Sequence, residues 1–429
     1  MISSLESPNH PRIRKKTNIC RSYAKSDTRE MRSKGMNRRQ LMAFSATAIA
    51  ARVGFADPLA QAQGLDASKG VDLPDRLLLK DWRPRSIYKI PVTEIAKARY
   101  PIIDAHNHGF NTAAQARKIV EAMDETGVER AVVFAGTGRP ESFDQVSAIY
   151  SAYPQRFDLW CLFDLREVND PGFGPDGVTA LEECHRMGAR GVGELHDKGK
   201  GLGASVGTEP GSWHTPAEFT GPGPHPDDPR MDSLFQKCSE LGMPVSIHVS
   251  DPIWTYLPMD RHNDGYMTAF HWRLDDKPGL LRHDGLLESL ERALKKHRGT
   301  TFIACHLANL DYDLTRLGQM LDRNSNLYAD FAARMSEIST IPRFANQFFQ
   351  QYQDRLLYGT DFTYTPGELR STFRTLETLD EHYYYEDYSD YLWPIYGLGI
   401  PDVVLKKIYR ENALRIFAGA VFCGAKRAR

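Results

Sequence analysis

Long hydrophobic runs are missing from this 429-residue chain. The apolar stretch from Leu41 to Ala51 falls short of the about 20 residues that a membrane-spanning helix needs, which excludes a bilayer span there. Cysteine is scarce and scattered. Cys20, Cys161, Cys184, Cys238, Cys305 and Cys423 lack paired spacing, which argues against a disulfide framework or a Cys-rich zinc site. Cys161 and Cys305 lie in strand-like runs and read as small core residues. Net charge is lacking too, at -1, and no basic patch is interleaved with aromatics, so nucleic acid is not an expected partner. What remains is ordinary globular composition, 41% hydrophobic and 25% charged, enough for one large domain or two modest ones.

The near-zero charge hides an asymmetry. Residues 1–62 carry 12 Lys+Arg against 4 Asp+Glu, whereas the rest of the chain is acidic. In "MNRRQLMAFSATAIAARVGFADPLAQAQG", Arg38-Arg39 precede a short Ala/Ser/Thr-rich apolar run and the small-x-small pattern Ala60-Gln61-Ala62. This layout resembles a twin-arginine export signal, although "NRRQLM" departs from the commonest form of that motif. The expectation is an exported, periplasmic protein that meets the twin-arginine machinery. Residues 1–35 would be an upstream extension ahead of Met36.

Residues 63–100 are polar and proline-punctuated, reading as an arm, and residues 420–429 as a tail. From Pro101 to Gly419, eight short apolar runs alternate with amphipathic stretches: "PIIDAHNH", "VERAVVFAG", "RFDLWCLFDL", "ARGVGELH", "MPVSIHVS", "TTFIACHLAN", "NLYADFAA" and "RLLYGTDFTY". Eight strand-then-helix units predict an α/β fold, a closed (β/α)8 TIM barrel, with a doubly wound open sheet as the alternative. Two connections are long, 197–228 after the fourth strand and 250–281 after the fifth, and are expected to wall a pocket.

Polar residues gather at one end of these runs: His106 and His108 after the first, Glu194 and His196 in the fourth, His248 in the fifth, His306 in the sixth, Asp361 in the eighth. In a barrel that end carries the active site. Residues i and i+2 of a strand share a face, so His106 and His108 should project together, with Asp104 beside them. Imidazoles and a carboxylate suit a divalent cation of zinc type that leaves one position for water. His106, His108, His248 and Asp361 are the expected ligands, and water so bound becomes a nucleophile near neutral pH.

"IDAHNH", "SIHVSD", "IACHLAN", "LYGTDFTY" and "IYRENALRIFAG" together resemble the amidohydrolase superfamily, in particular the amidohydrolase-related group that holds aminocarboxymuconate-semialdehyde decarboxylase and several lactone hydrolases. The resemblance implies metal ligation by His106, His108, His248 and Asp361. It makes His306 a polarising or water-positioning histidine and lets Asp361 double as acid/base. Strand four offers no lysine for a carboxylated bridge; Glu194 stands there instead, as base, anchor or bridge. The implied cofactor is zinc, or manganese, at one ion per chain, or two if Glu194 bridges.

The leading expectation is therefore metal-dependent hydrolysis of an amide, ester or lactone in a small molecule. The alternatives are a metal-dependent, non-oxidative decarboxylase and a non-catalytic protein that keeps a metal site. A carboxylate-bearing substrate calls for arginine, and Arg139 and Arg334 lie at the active-site end of their units. His196 could face substrate. Trp254, with Tyr256, Tyr266 and Trp272, offers a stacking wall. Asp330 reads as a paired, buried carboxylate, and His185, His283 and His297 as solvated helix residues. The sequence leaves homo-oligomerisation open.

Overall fold

Parallel strands covered on both faces should be largely apolar. In this computed structural model, which describes residues 73–109, 112–135, 138–204, 222–361, 364–384 and 392–417, all eight expected runs form strands. These are β1 (Ile102–Asp104), β2 (Val128–Phe134), β3 (Phe157–Trp160), β4 (Val192–Asp197), β5 (Val245–Val249), β6 (Phe302–Ala304), β7 (Leu327–Asp330) and β8 (Leu356–Leu357). Every residue of β5 and β6 is buried.

The strands pair in parallel in sequence order, β1 to β3 and β4 to β8. Two seams join these sheets. Cys161 bridges to Val192, with Gly193 N donating to Cys161 O at 2.9 Å, and Ala105 N donates to Tyr358 O at 2.8 Å. The result is a closed (β/α)8 barrel, and the open doubly wound sheet is set aside.

Each strand is followed by one main helix: α1 (Ala113–Thr126), α2 (Pro140–Tyr150), α3 (Phe173–Met187), α4 (Asp232–Leu241), α5 (His283–Lys296), α6 (Leu314–Arg323), α7 (Pro342–Gln351) and α8 (Pro366–Glu377). Their apolar faces pack on the strands in one continuous core that includes Ile119, Leu234, Leu290, Leu317 and Phe373. Thr365 and Glu368 form a reciprocal capping box at the start of α8, anchoring the loop that leaves β8.

The connection after β4 runs from Asp197 to Asp232, with 205–221 outside the described residues. The one after β5 folds into short helical turns at Ile253–Tyr256, Tyr266–Ala269 and Phe270–Trp272. Leu78–Arg429 makes one unit, and of the other, Met1–Leu77, only a turn at 73–77 is described. The export segment thus lies outside the described residues. The end of the expected arm is tied to the barrel: Thr93 donates to Asp380 through N and Oγ1 at 2.9 and 2.6 Å, and Arg99 Nη1 donates to Asp402 at 2.7 Å. No helix among the described residues is long and apolar enough to cross a membrane.

Candidate metal centre

Strand β1 stops at Asp104, so His106 and His108 sit just past its end and not within its alternation. Asp104 is thereby turned away from the histidines. Its carboxylate accepts from Thr360 Oγ1 at 2.6 Å, Tyr364 OH at 2.5 Å and His106 N at 3.0 Å, stapling β1 to the turn after β8. The expectation that Asp104 shares the histidine face is corrected by that staple. Burial raises the Asp104 carboxyl to about 6 despite these donors.

The Gly-Thr-Asp turn after β8 has a role for each residue. A Cβ on Gly359 would lie 2.8 Å from the Cβ of His106, so only a bare Cα fits behind that histidine. Thr360 holds Asp104. Asp361 takes a positive φ of 63°, which sends its carboxylate back over the barrel mouth. Asp361 Oδ1 then lies 3.3 Å from His106 Nε2 and 3.1 Å from His108 Nε2.

Histidine tautomers follow from what lies behind each ring. His106 Nδ1 meets Asp330 Oδ2 at 3.0 Å, His306 Nδ1 meets the carbonyl of Ala332 at 2.9 Å, and His248 Nε2 meets Asp251 Oδ1 at 3.2 Å. Each acceptor claims the proton on the outward nitrogen, leaving a lone pair on the inward one. These inward atoms converge on carboxylate oxygens. His248 Nδ1 and His306 Nε2 lie 2.8 and 3.2 Å from Glu194 Oε1, and only 3.1 Å from each other. His108 Nε2 lies 3.0 Å from Glu194 Oε2, and the fully buried His106 Nε2 makes no hydrogen bond. Lone pairs packed this closely repel unless a cation or protons lie among them. The donor set fits a divalent metal of zinc type.

In place of a cation, protons would have to separate these nitrogens, and the electrostatics favour positive charge among them. Burial penalises charge at every one of these groups, yet Asp330, Glu194 and Asp361 outweigh it at His106 and raise its pKa well above the ordinary value. At His108, burial likewise pulls down while Asp361 and Glu194 hold the ring up at about 9. Against burial, the surrounding imidazoles keep the Glu194 and Asp361 carboxyls well below the usual range. Where burial dominates, at His306 and His196, the ring is pushed down and stays neutral.

A sequence-family model described as Amidohydrolase matches residues 91–419. The chain belongs to the amidohydrolase family. Members usually hold a divalent metal, which accords with the donors assembled here. Among solved structures, this amidohydrolase resembles an uncharacterized TIM-barrel protein from Bordetella bronchiseptica at 17% identity and TM-score 0.43, covering 75% of this chain and 99% of that one. It also resembles 5-carboxyvanillate decarboxylase from Sphingomonas paucimobilis (12%, 0.44, 75% and 99%). A third likeness is a zinc-bound amidohydrolase from Burkholderia multivorans (11%, 0.40, 74% and 99%). No curated protein matched the sequence.

The amidohydrolase barrel gathers the expected ligands into overlapping sets. His106, His108, Glu194 and Asp361 form one, and Glu194, His196 and His248 another. Glu194 therefore joins the donors more intimately than its sequence position alone indicates. His196 Nε2 lies 2.9 Å from Glu194 Oε2 and its residue pairs in register with His248 across β4 and β5, a juxtaposition visible only once the strands are paired. Asp330, read as a paired carboxylate, is one, and it orients His106. His306 opens a left-handed turn, with φ between 52° and 58° from His306 to Asn309. Its backbone N donates to Asp330 Oδ1 at 2.9 Å.

Neighbouring residues engage the expected substrate residues. Arg334 is buried, donates to Asn309 Oδ1 and Ala333 O, and lies 3.5 Å from Asp311 and 3.9 Å from Glu337. Arg139 is exposed at the start of α2, where its charge acts on Asp164. Trp254, in the connection after β5, packs its ring against Trp393 and over Gly265. His283, expected to be solvated, is instead buried between Tyr256 and Tyr312 with Nε2 facing Asn309 O at 3.0 Å. His297 is likewise mostly buried, its ring against Phe235 and its Nε2 3.0 Å from Asp232 Oδ1.

The Arg334 network yields a pH prediction. Burial, opposed by Arg334 and reinforced by Asp311, raises the Glu337 carboxyl from 4.5 to about 7. The folded state thus holds this proton more tightly than the unfolded chain, so the associated stability is complete below about 4.5 and is lost as pH rises through about 7. Glu337→Gln should flatten the fall of the thermal midpoint between pH 5 and 8. Equal slopes in variant and wild type would refute the assignment.

Proposed function

We propose that this amidohydrolase is a metal-dependent hydrolase acting on an amide, ester or lactone carbonyl of a small molecule. The observation that carries the reading is the convergence of the inward nitrogens of His106, His248 and His306 on the charged carboxylates of Glu194 and Asp361. His106, His108, Asp361 and Glu194 would hold one divalent cation, zinc or manganese. Such an ion, when bound, supplies Lewis acidity and lowers the pKa of an adjacent water toward about 7.

The chain's own groups account for the proton movements. Asp361 is held ionised, is about one-fifth exposed at its side chain, and turns Oδ2 toward His306 Nε2 at 3.8 Å. It is placed to take a proton from water at the barrel mouth and return it to the leaving group. His306 keeps its hydrogen on Nδ1, so Nε2 can accept but not donate. It orients water and does not polarise a carbonyl. Glu194, buried and ionised, draws the imidazoles together.

Decarboxylation would want a guanidinium facing the donors; Arg334 is engaged by Asn309, Asp311 and Glu337 and Arg139 is exposed at the start of α2, which favours hydrolysis. The same proposal keeps the export reading of residues 1–62, which rests on the sequence. Its test is elemental analysis of purified protein reconstituted with zinc or manganese, followed by a screen of lactones, esters and amides with carbon dioxide monitored. Bound metal and acid release without carbon dioxide is the expected result. Absence of bound metal, or stoichiometric carbon dioxide, would overturn the reading.

A further inference from the structure

The arm that leads into the barrel presents a surface that the barrel itself does not use. Leu78, Leu79, Trp82, Ile87, Tyr88 and Val92 are all exposed, Ile87 at 85% and Val92 at 60%. Among the described residues from 93 to 417, only seven further large apolar side chains are exposed. Single apolar residues at a surface are ordinary, but such a concentration marks a contact surface.

This arm is held in place, not trailing. Leu79 and Trp82 line a cavity of about 550 Å³ with Met259, Tyr266, Met267 and Trp393. Ser86 Oγ lies 3.1 Å from His382 Nδ1, and the Tyr88 ring stands edge-on to that imidazole with centroids 4.8 Å apart. Ser86 and Tyr88 thus face the barrel, and Ile87 between them is left to solvent. Thr93 and Arg99 tie the end of the arm to Asp380 and Asp402.

Charge sets the same segment apart. Lys80, Arg83, Arg85 and Lys89, all exposed, stand against Asp81 alone, whereas residues 93–429 carry 36 Lys+Arg and 47 Asp+Glu. None of the four cations makes an ion pair among the described residues. Trp82 and Tyr88 stand among them, so the chain does hold one short basic stretch with aromatics. Its exposed Leu78, Leu79, Ile87 and Val92 distinguish it from a nucleic-acid surface, since aliphatic chains give bases nothing to stack on. A second copy fits poorly: arms paired about a two-fold axis bring like charges together, and Pro84 and Pro91 bound any strand ladder. Cations interleaved with aliphatic, Trp and Tyr side chains match the boundary where anionic headgroups meet hydrocarbon.

We propose that residues 78–92 form a docking surface for an anionic lipid bilayer, with Lys80, Arg83, Arg85 and Lys89 on the headgroups and Leu78, Ile87 and Val92 in the acyl boundary. The chain then lies on the membrane and does not span it. Docking of this kind needs neither metal nor turnover, so it stands apart from the hydrolase reading.

The test uses full-length protein with vesicles of phosphatidylcholine, alone or mixed with phosphatidylglycerol, in about 0.1 M salt. Because residues 1–62 are themselves basic, the arm is read directly by trypsin, which cuts after Arg85 and Lys89, with fragments identified by mass spectrometry. Phosphatidylglycerol vesicles should slow both cuts at least about fivefold and phosphatidylcholine should not, the difference vanishing in about 1 M salt. Arg85→Gln with Lys89→Gln should weaken co-sedimentation at least about fivefold, and Ile87→Ser should weaken it too. Lys118→Gln with Arg298→Gln removes equal charge from exposed positions elsewhere and should leave it unchanged. Thermal midpoints establish that each variant folds. Equal cutting with and without phosphatidylglycerol, or co-sedimentation weakened alike by the two paired variants, overturns the inference. Protection that appears without vesicles and grows with protein concentration also overturns it, and assigns the arm to a second copy.

Discussion

Asp361→Asn should lower kcat about 10²- to 10⁴-fold on any substrate that the wild-type protein hydrolyses, the range expected when a positioned proton acceptor is lost. The amide matches the carboxylate in shape but has no charge to offer, so the contacts at 3.1 and 3.3 Å to His108 and His106 lose their electrostatic partner. Both effects act in the same direction. Lost cation affinity and lost proton transfer are separated by saturating the variant with metal, which restores the first and not the second. A variant that recovers more than a tenth of wild-type kcat under saturation would show that Asp361 only ligates.

Asp330→Asn is expected to be the most damaging change away from the donors themselves. This carboxylate is fully buried and receives three N–H groups: His106 Nδ1 at 3.0 Å, His306 N at 2.9 Å and Ala332 N at 3.1 Å. An amide must turn its NH₂ toward some of those donors, leaving buried hydrogens unpaired at a cost of about 1–3 kcal/mol. The His106 ring also loses the partner that fixes its tautomer, which should weaken cation affinity about 10- to 100-fold. Chelator competition and the thermal midpoint read the two effects independently. A lowered midpoint with unchanged affinity would reduce Asp330 to a structural role.

The barrel was legible because its strands, covered on both sides, have little choice but to be apolar, and because their polar ends fall on one rim. Even β8, only two residues long, is flanked by "YGTD", whose turn chemistry betrays it. What stayed hidden depends on neighbours brought from far along the chain. Asp104 obeys no alternation because the strand ends on it and Thr360, 256 positions away, claims its carboxylate. His196 and Glu194 took their places only when β4 and β5 fixed their register. Arg334 had the right charge at the right end of its unit, but Asn309, Asp311 and Glu337 surround it, and no local pattern announces such a cage.

The left-handed turn that begins at His306 bears on how this protein can evolve. Left-handed backbone costs about 1–2 kcal/mol for each ordinary residue, and His306, Leu307 and Ala308 all adopt it. Folded domains are stable by only about 5–15 kcal/mol, and a typical substitution removes about 0.5–3 kcal/mol of that. A chain that carries this turn begins its mutational life nearer the threshold than its well-packed core would indicate. Drift in the outer helices is therefore coupled to the site: changes that loosen them are tolerated only where the core around the barrel compensates, and lineages that keep the turn should diverge most slowly in the packing that supports it.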